Sequence, residues 1–284
     1  MTQEELSKLE VLAAKIRRDI LVMLEKAGQG HLGGSMSIVE LLSVLYGHRL
    51  TYDPANPTWE GRDRVVLSKG HAGPAWYSAL AESGFFDPKM LLTLNEGGTN
   101  LPSHPDRTKT PGVDMTTGSL GQGTSTAAGI ATALRLKNNS AHVYLIVGDG
   151  ELNEGQCWEA FQYLAHYKLS NCTVIIDWNK RQLDGALEEV INPFDIAAKM
   201  RAFGFATEVV NGQDMQALDA ALERAEAVSD SAACVVMDTV KGAGVPFFET
   251  YPNNHSVKFA DPACREAADA AIAGFEALIE RGEA

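Results

Sequence analysis

The sequence is short of positive charge: 24 Lys and Arg stand against 37 Asp and Glu, a formal net charge of −13. Nucleic acids and anionic membrane surfaces are recognised through clustered basic side chains, so this balance argues against both as partners. Any phosphate the chain binds must be held locally, by backbone amides, a metal ion or a few histidines. No apolar run approaches the length of a membrane span, and the N-terminus reads as a charged helix rather than a secretory leader, so a cytoplasmic location is expected. Cys157, Cys172, Cys234 and Cys264 are widely spaced with no C-x-x-C pair, which fits free thiols in a reducing compartment. Internal repeats and low-complexity segments are also lacking. What is present is an ordinary globular balance, 45% hydrophobic and 21% charged over 284 residues, long enough to bury a substantial core.

Within "AGQGHLGG", Gly28, Gly30 and Gly33 spell G-x-G-x-x-G, the dinucleotide fingerprint. That fingerprint works only after a buried strand and before a helix, where a helix N-terminus meets a pyrophosphate. Here the preceding residues are helical instead: Leu9, Leu12, Ile16, Ile20, Met23 and Ala27 recur at three- and four-residue steps over 4–27. Gly28 then reads as a left-handed helix terminator. The acid expected further on would be Asp53, which sits in the proline-broken loop "YDPANP" rather than at a strand end. A nicotinamide or flavin reading therefore fails, and the loop needs another purpose.

Along the rest of the chain the pattern alternates. A second helix is expected around Ser37–Tyr46, then a short buried strand over Val65–Leu67, a loop and a helix. The glycine- and proline-rich stretch Glu96–Gly123 has little periodicity and reads as a functional loop, followed by a helix over 124–136. Strand 142–147 ends in "GDGELNEG" before helix 156–167, and strand 172–177 ends in "WNKRQLDG". A helix near 195–203, strand "ATEVV", helix 214–228, strand "CVVMDTV" and the loop "KGAGVPFFETYPNNH" complete the reading. Such alternation predicts an α/β fold, a parallel sheet flanked by helices on both faces, with an N-terminal helical layer in a single domain spanning 1–284. Ligands in such sheets bind at the carboxyl ends of the strands, where the polar glycine-rich segments fall here.

Two of those ends carry chemistry. Asp149, in Gly-Asp-Gly, puts a carboxylate on the rim of the sheet, and Asn179 stands at the end of the next strand. If the strands are neighbours, a carboxylate and an amide carbonyl converge on one point. Hard oxygen ligands of this kind suit Mg²⁺, whose octahedron a nearby backbone carbonyl, two diphosphate oxygens and a water would complete. G-D-G alone also makes ordinary turns; the second strand with its Asn is what sharpens the reading.

G-D-G followed some thirty residues later by Asn resembles the thiamine diphosphate signature. The segments "GQGHLGG", "LSKGHAGPAWYSAL", "LPSHPD", "PGVDMTTGSLGQGTSTAAGIA", "GDGELNEGQCWEA", "DWNKRQLDG" and "TVKGAGV…H" are similar, in order, to those of the transketolase family and cover nearly the whole chain. The likeness is to the N-terminal, diphosphate-binding half of a full-length transketolase. It implies a thiamine diphosphate-binding fold, with thiamine diphosphate and Mg²⁺ as cofactors. It also implies ketol transfer between phosphorylated sugars in a hetero-oligomer. The partner subunit would carry the pyrimidine-binding and C-terminal domains, including the glutamate that acts on the cofactor's aminopyrimidine, and a heterotetramer would form.

Carried over residue by residue, the resemblance implies that Asp149, Asn179 and the backbone carbonyl of Arg181 are the metal ligands. Trp178 stands where many relatives have a second acidic or amide residue. Gly118 and Leu120 match the loop that meets the cofactor's rings, and Gly150 the close approach to its diphosphate. Glu154 and Glu159 match a carboxylate network that crosses the subunit interface. His31, His71, His104 and His255 match imidazoles that line the cofactor and donor-sugar channel, bind hydroxyls and move protons, His71 also touching the cofactor. An isolated histidine is more often structural, and His48, His142 and His166, which match no motif, are read that way. Lys241 matches a contact to the diphosphate; a plain surface lysine is the competing reading. On this view the glycine loop at 28–34 bends the chain so that His31 enters a sugar channel. Two other readings are another thiamine diphosphate enzyme, such as one like deoxyxylulose phosphate synthase, and a cofactor-binding module without catalysis.

Overall fold

The computed structural model describes residues 1–283. Its centre is a five-stranded, wholly parallel sheet of Arg64–Leu67 (β1), Val143–Gly148 (β2), Cys172–Trp178 (β3), Ala206–Asn211 (β4) and Ala233–Asp238 (β5), in the order β1-β2-β3-β5-β4. β2, β3 and β5 read as nearly continuous apolar runs because helices cover both faces of the sheet. Successive side chains part to opposite sides. Tyr144, Ile146, Ile175, Val235 and Met237 join one core cluster, whereas Val143, Leu145, Val147, Val174, Ile176 and Val236 join the other. β4 is one of the two edge strands and is half exposed along its length.

The N-terminal helix Gln3–Ala27 (α1) begins in a capping box formed by Thr2 and Glu5 and ends at Gly28, whose φ of 82° is left-handed as expected. The expected second helix forms two residues later than read, after a separate helical turn. Gly33–Met36 makes one turn, Val39–Val44 (α2) follows, and Leu45–Arg49 widens into a π turn. Gly73–Glu82 (α3) and α1 pack on the first face of the sheet. The second face is covered by Gln122–Leu136 (α4), Gly155–His166 (α5) and Ile196–Ala202 (α6). Met215–Ala227 (α7) returns to the first face.

The sequence pattern gave no warning of the last helix, Pro262–Glu283 (α8). It packs along α1 through Cys264 and Ala268, so the helical layer is built from both ends of the chain. Its buried and half-buried apolar positions, among them Cys264, Ala268, Ile272, Phe275 and Ile279, form the stripe that faces the core.

Leu24 of α1 is fully buried in this layer, and its Cδ2 fills the space beside Gly30. Leu24→Ala should cost about 2–5 kcal/mol of stability, read as a lower urea midpoint with an unchanged denaturant slope.

Candidate functional site

The register of β2 on β3 pairs Gly148 with Asp177, so the turns that leave both strands lie side by side. The Asp149 backbone N–H donates to the Asp177 carbonyl at 3.1 Å. The Asp149 carboxylate accepts from the Gly150 N–H at 2.7 Å and from the Lys180 N–H at 2.6 Å. Asn179 Oδ1 accepts from the Arg181 N–H, while its amide nitrogen donates to Asp177 at 2.9 Å. Asp149, Gly150, Asn179 and Arg181 all line one pocket of about 260 Å³ together with Gly118, Leu120 and Lys241. A Cβ at Gly150 would come within 2.9 Å of Gln182, so only glycine lets the chain pass there.

Four imidazoles close the other side. His31 follows the two-residue strand Gln29–Gly30, which pairs antiparallel with Val257–Lys258, just past His255. That ribbon sets the His31 and His255 ring centroids 5.3 Å apart. His71 lies 5.0 Å from His255 and 5.7 Å from His31, and His104 lies 5.6 Å from His31. His71 stands in a tight turn after β1, where Gly70 is pressed against Thr117 and Gly118. Thr117 Oγ1 donates to the Leu67 carbonyl, which ties the 96–121 loop across the end of β1 and brings His104 in with it. The glycine loop is packed as closely: Gly33 donates to the Asn254 carbonyl, and a Cβ there would strike that oxygen at 2.6 Å. Its glycines admit the 241–255 segment.

Burial sets the charge states. It pulls His31, His71 and His104 below the ordinary imidazole range, and His71 farthest, being almost wholly enclosed and near the Lys69 ammonium. Burial and the neighbouring Lys241 bring His255 down to about 3. Lys241 itself is lowered to about 8 by desolvation, and its Nζ stands 3.2 Å from His255 Nδ1 and donates to the Arg181 carbonyl. Asp149 is pushed up to about 7, first by burial and then by Asp177. A carboxylate so penalised is one that a cation would hold ionised. Asp149, Asn179 Oδ1 and the Arg181 carbonyl supply only hard oxygens, so the donor set fits Mg²⁺ with phosphate oxygens in its shell. Among the described residues no group of three or more His, Cys, Asp and Glu side chains is arranged to hold a metal, so such an ion depends on this mixed set.

Three residues here escaped the sequence reading. Lys69 and Asp177 form a fully buried ion pair at 2.7 Å, in which Asp177 also accepts from Ser37 Oγ at 2.7 Å and Thr239 Oγ1 at 2.5 Å. Burial alone would raise Asp177; the Lys69 ammonium outweighs it and keeps the carboxyl below its usual value. Because Asp177 can only accept, it fixes the Asn179 amide with nitrogen inward, leaving Oδ1 on the outer side. Glu151, also buried, accepts from Ser68 Oγ, the Gly121 N–H and the Gly148 N–H, joining the Gly-Asp-Gly turn to the loop that carries Leu120. The signals were a lysine two residues before His71 and acids two residues from Asn179 and Asp149. Glu154 and Glu159 are not brought into the pocket: both are exposed, and Glu159 lines a separate surface hollow with Ser125 and Tyr163. His48, His142 and His166 also stand apart, His142 bonded to Thr173 near the opposite end of the sheet.

Residues 9–276 match the family model described as transketolase, thiamine diphosphate binding domain. The chain belongs to the transketolase family. It is 42% identical to a 6-deoxy-6-sulfo-D-fructose transketolase subunit from Clostridium sp. (strain MSTE9), over 92% of this chain and 94% of that one. It is 37% identical to an apulose-4-phosphate transketolase subunit from Actinobacillus succinogenes, over 87% and 90%. The transketolase structure from Campylobacter jejuni superposes with a TM-score of 0.83 at 30% identity, covering all of this chain and 47% of that one. The chain therefore spans just under half the length of that transketolase, and its sheet has the thiamine diphosphate-binding fold of the family.

Asp177→Ala would strand the Lys69 ammonium without a carboxylate and free the Asn179 amide to turn. Loss of one partner of a buried pair predicts about 3–5 kcal/mol of destabilisation. Chemical denaturation of the variant beside Lys69→Met/Asp177→Leu, which removes both charges and should recover part of the loss, checks it.

Proposed function

We propose that this chain is the cofactor-binding subunit of a thiamine diphosphate- and Mg²⁺-dependent transketolase. It would move a ketol unit between phosphorylated sugars and work only with a second subunit that carries the pyrimidine-binding and C-terminal domains. One observation carries the reading: a hard-oxygen set, a buried lysine and four half-buried imidazoles face a single pocket at the strand ends. Two relatives named as subunits match along 94% and 90% of their own length, against 47% of the Campylobacter jejuni chain, which supports a separate partner. One of those relatives is named for a sulfonated sugar and the other for a phosphorylated one, and both names support an anionic sugar, here taken as a phosphorylated one.

In this reading Asp149, Asn179 and the Arg181 carbonyl hold the Mg²⁺ that binds the diphosphate, and Lys241 sets its positive charge against the phosphate. Gly118 and Leu120 meet the rings, and Gly150 lets the backbone approach the diphosphate. Bound thiamine diphosphate supplies the electron sink that lets the bond beside a ketose carbonyl be broken and remade. His31, His71, His104 and His255, kept neutral near pH 7 by burial, each offer one N–H and one lone pair. They orient the sugar hydroxyls, take the proton from the hydroxyl next to the cleaved bond and return one to the carbonyl oxygen. Glu154 and Glu159, exposed here, are assigned to the contact between subunits, and a heterotetramer is the assembly that two such interfaces would give.

The purified chain should show no ketol transfer, and stoichiometric addition of the partner, identified by native mass spectrometry of the complex from its host, should restore it; transfer by the chain alone would sink the two-subunit reading. Asp149→Asn should keep the circular dichroism spectrum and lose at least tenfold in Mg²⁺-dependent thiamine diphosphate affinity by calorimetry. In the reconstituted complex, His104→Ala and His255→Ala should each lower kcat/KM by about 10²–10⁴; unchanged kinetics would favour a binding module instead.

A further inference from the structure

Lys241 and His255 stand fourteen residues apart at the two ends of one loop, yet both line the cofactor pocket, Lys241 Nζ 3.2 Å from His255 Nδ1. The regular structure between them is the short helix Pro246–Thr250. Bringing the ends of such a loop together costs conformational entropy that some contact must offset. The side chain that closes it is Asn254. It is 2% exposed, and its Nδ2 donates to the Lys241 carbonyl at 3.1 Å and to the Phe248 carbonyl at 2.9 Å. Both partners only accept, so the amide nitrogen faces them and uses both of its hydrogens there.

The backbone carries the clamp further. The Asn254 carbonyl accepts from the Gly33 N–H at 2.8 Å, and the Gly33 carbonyl accepts from the Gly242 N–H at 3.1 Å. The loop that carries His31 is thereby bonded to both ends of the segment that carries Lys241 and His255. Asn254 itself does not line the pocket. Lys241 and Phe248 are as buried as Asn254, so loss of the amide leaves two buried carbonyls without this donor, a cost the loop relieves by opening toward water. We infer that Asn254 is a positioning residue: touching neither cofactor nor sugar, it sets the distance at which Lys241 and His255 face the pocket and seats His31 beside them. The inference rests on the function proposed above, in which Lys241 meets the diphosphate and His255 the sugar.

A double-mutant cycle separates positioning from a plain structural role, because residues that act through one another do not add. The full chain is titrated by calorimetry with thiamine diphosphate in Mg²⁺, as wild type, Asn254→Ala, Lys241→Met and the double variant. Asn254→Ala should weaken binding about tenfold, and in the Lys241→Met background the same change should weaken it less than about twofold. In the reconstituted complex, with cofactor saturating, Asn254→Ala should lower kcat/KM about tenfold, and less than about twofold in the His255→Ala background. Asn254→Ser, which is shorter and offers one donor for two carbonyls, should fall between wild type and Asn254→Ala; it keeps the test decisive if that variant does not fold. Wild-type affinity in either folded variant, or the full loss in both backgrounds, would overturn the inference, the latter meaning that Asn254 only holds the fold of the loop. No Mg²⁺-dependent binding by the wild-type chain would instead overturn the cofactor reading, and this inference with it.

Discussion

Gly148 lies beside Asp177 across two parallel strands, and the site depends on that register. A slip of one residue would turn every side chain of one strand to the other face and part Asp149 from Asn179. Burial of both faces holds the register: Leu145, Val147, Val174 and Ile176 pack on one side while Ile146 and Ile175 pack on the other. At the end of β3 the Lys69–Asp177 pair carries that order into polar ground. Its two charges are fully buried, and Asp177 accepts from Ser37, Thr239 and the Asn179 amide as well as from Lys69. Such a pair contributes less to stability than to fixing one arrangement of the groups around it.

The chain is strongly acidic, yet its pocket collects cationic and proton-carrying groups. Lys69, Lys241 and four imidazoles stand within it, and burial holds the imidazoles uncharged. The result is local capacity for an anionic ligand without a basic surface. The Lys241 ammonium is brought down to about 8 by the same enclosure that would strengthen its attraction to phosphate once the site is filled.

The parallel sheet, most of its helices and the site segments were legible because each leaves a strong local trace. Apolar runs end in Gly-Asp-Gly or Asp-Trp-Asn, and the three- and four-residue steps of α1 stop at a glycine. The rejected dinucleotide fingerprint was legible in the same way, since the helix before it is local. The separate turn at Gly33–Met36 was not, because the local pattern does not reveal where the chain must bend to lodge Ser37 against Asp177. Nor was α8, whose apolar stripe gains meaning only against α1.

The sequence by itself determined where along the chain the groups able to do chemistry stand: one carboxylate and one amide at strand ends, four histidines in glycine- and proline-rich loops. Only the tertiary structure decided that these meet. His31 and His255 are more than two hundred residues apart, and a ribbon of two residues on each side joins them. Lys69 finds Asp177 across the sheet, and Glu151 turns inward while Glu154 faces solvent. The physical reason is that periodicity and turn chemistry act over a few residues. Burial, which sets charge state, amide orientation and hydrogen-bond satisfaction, is a property of surfaces that exist only after the chain has packed.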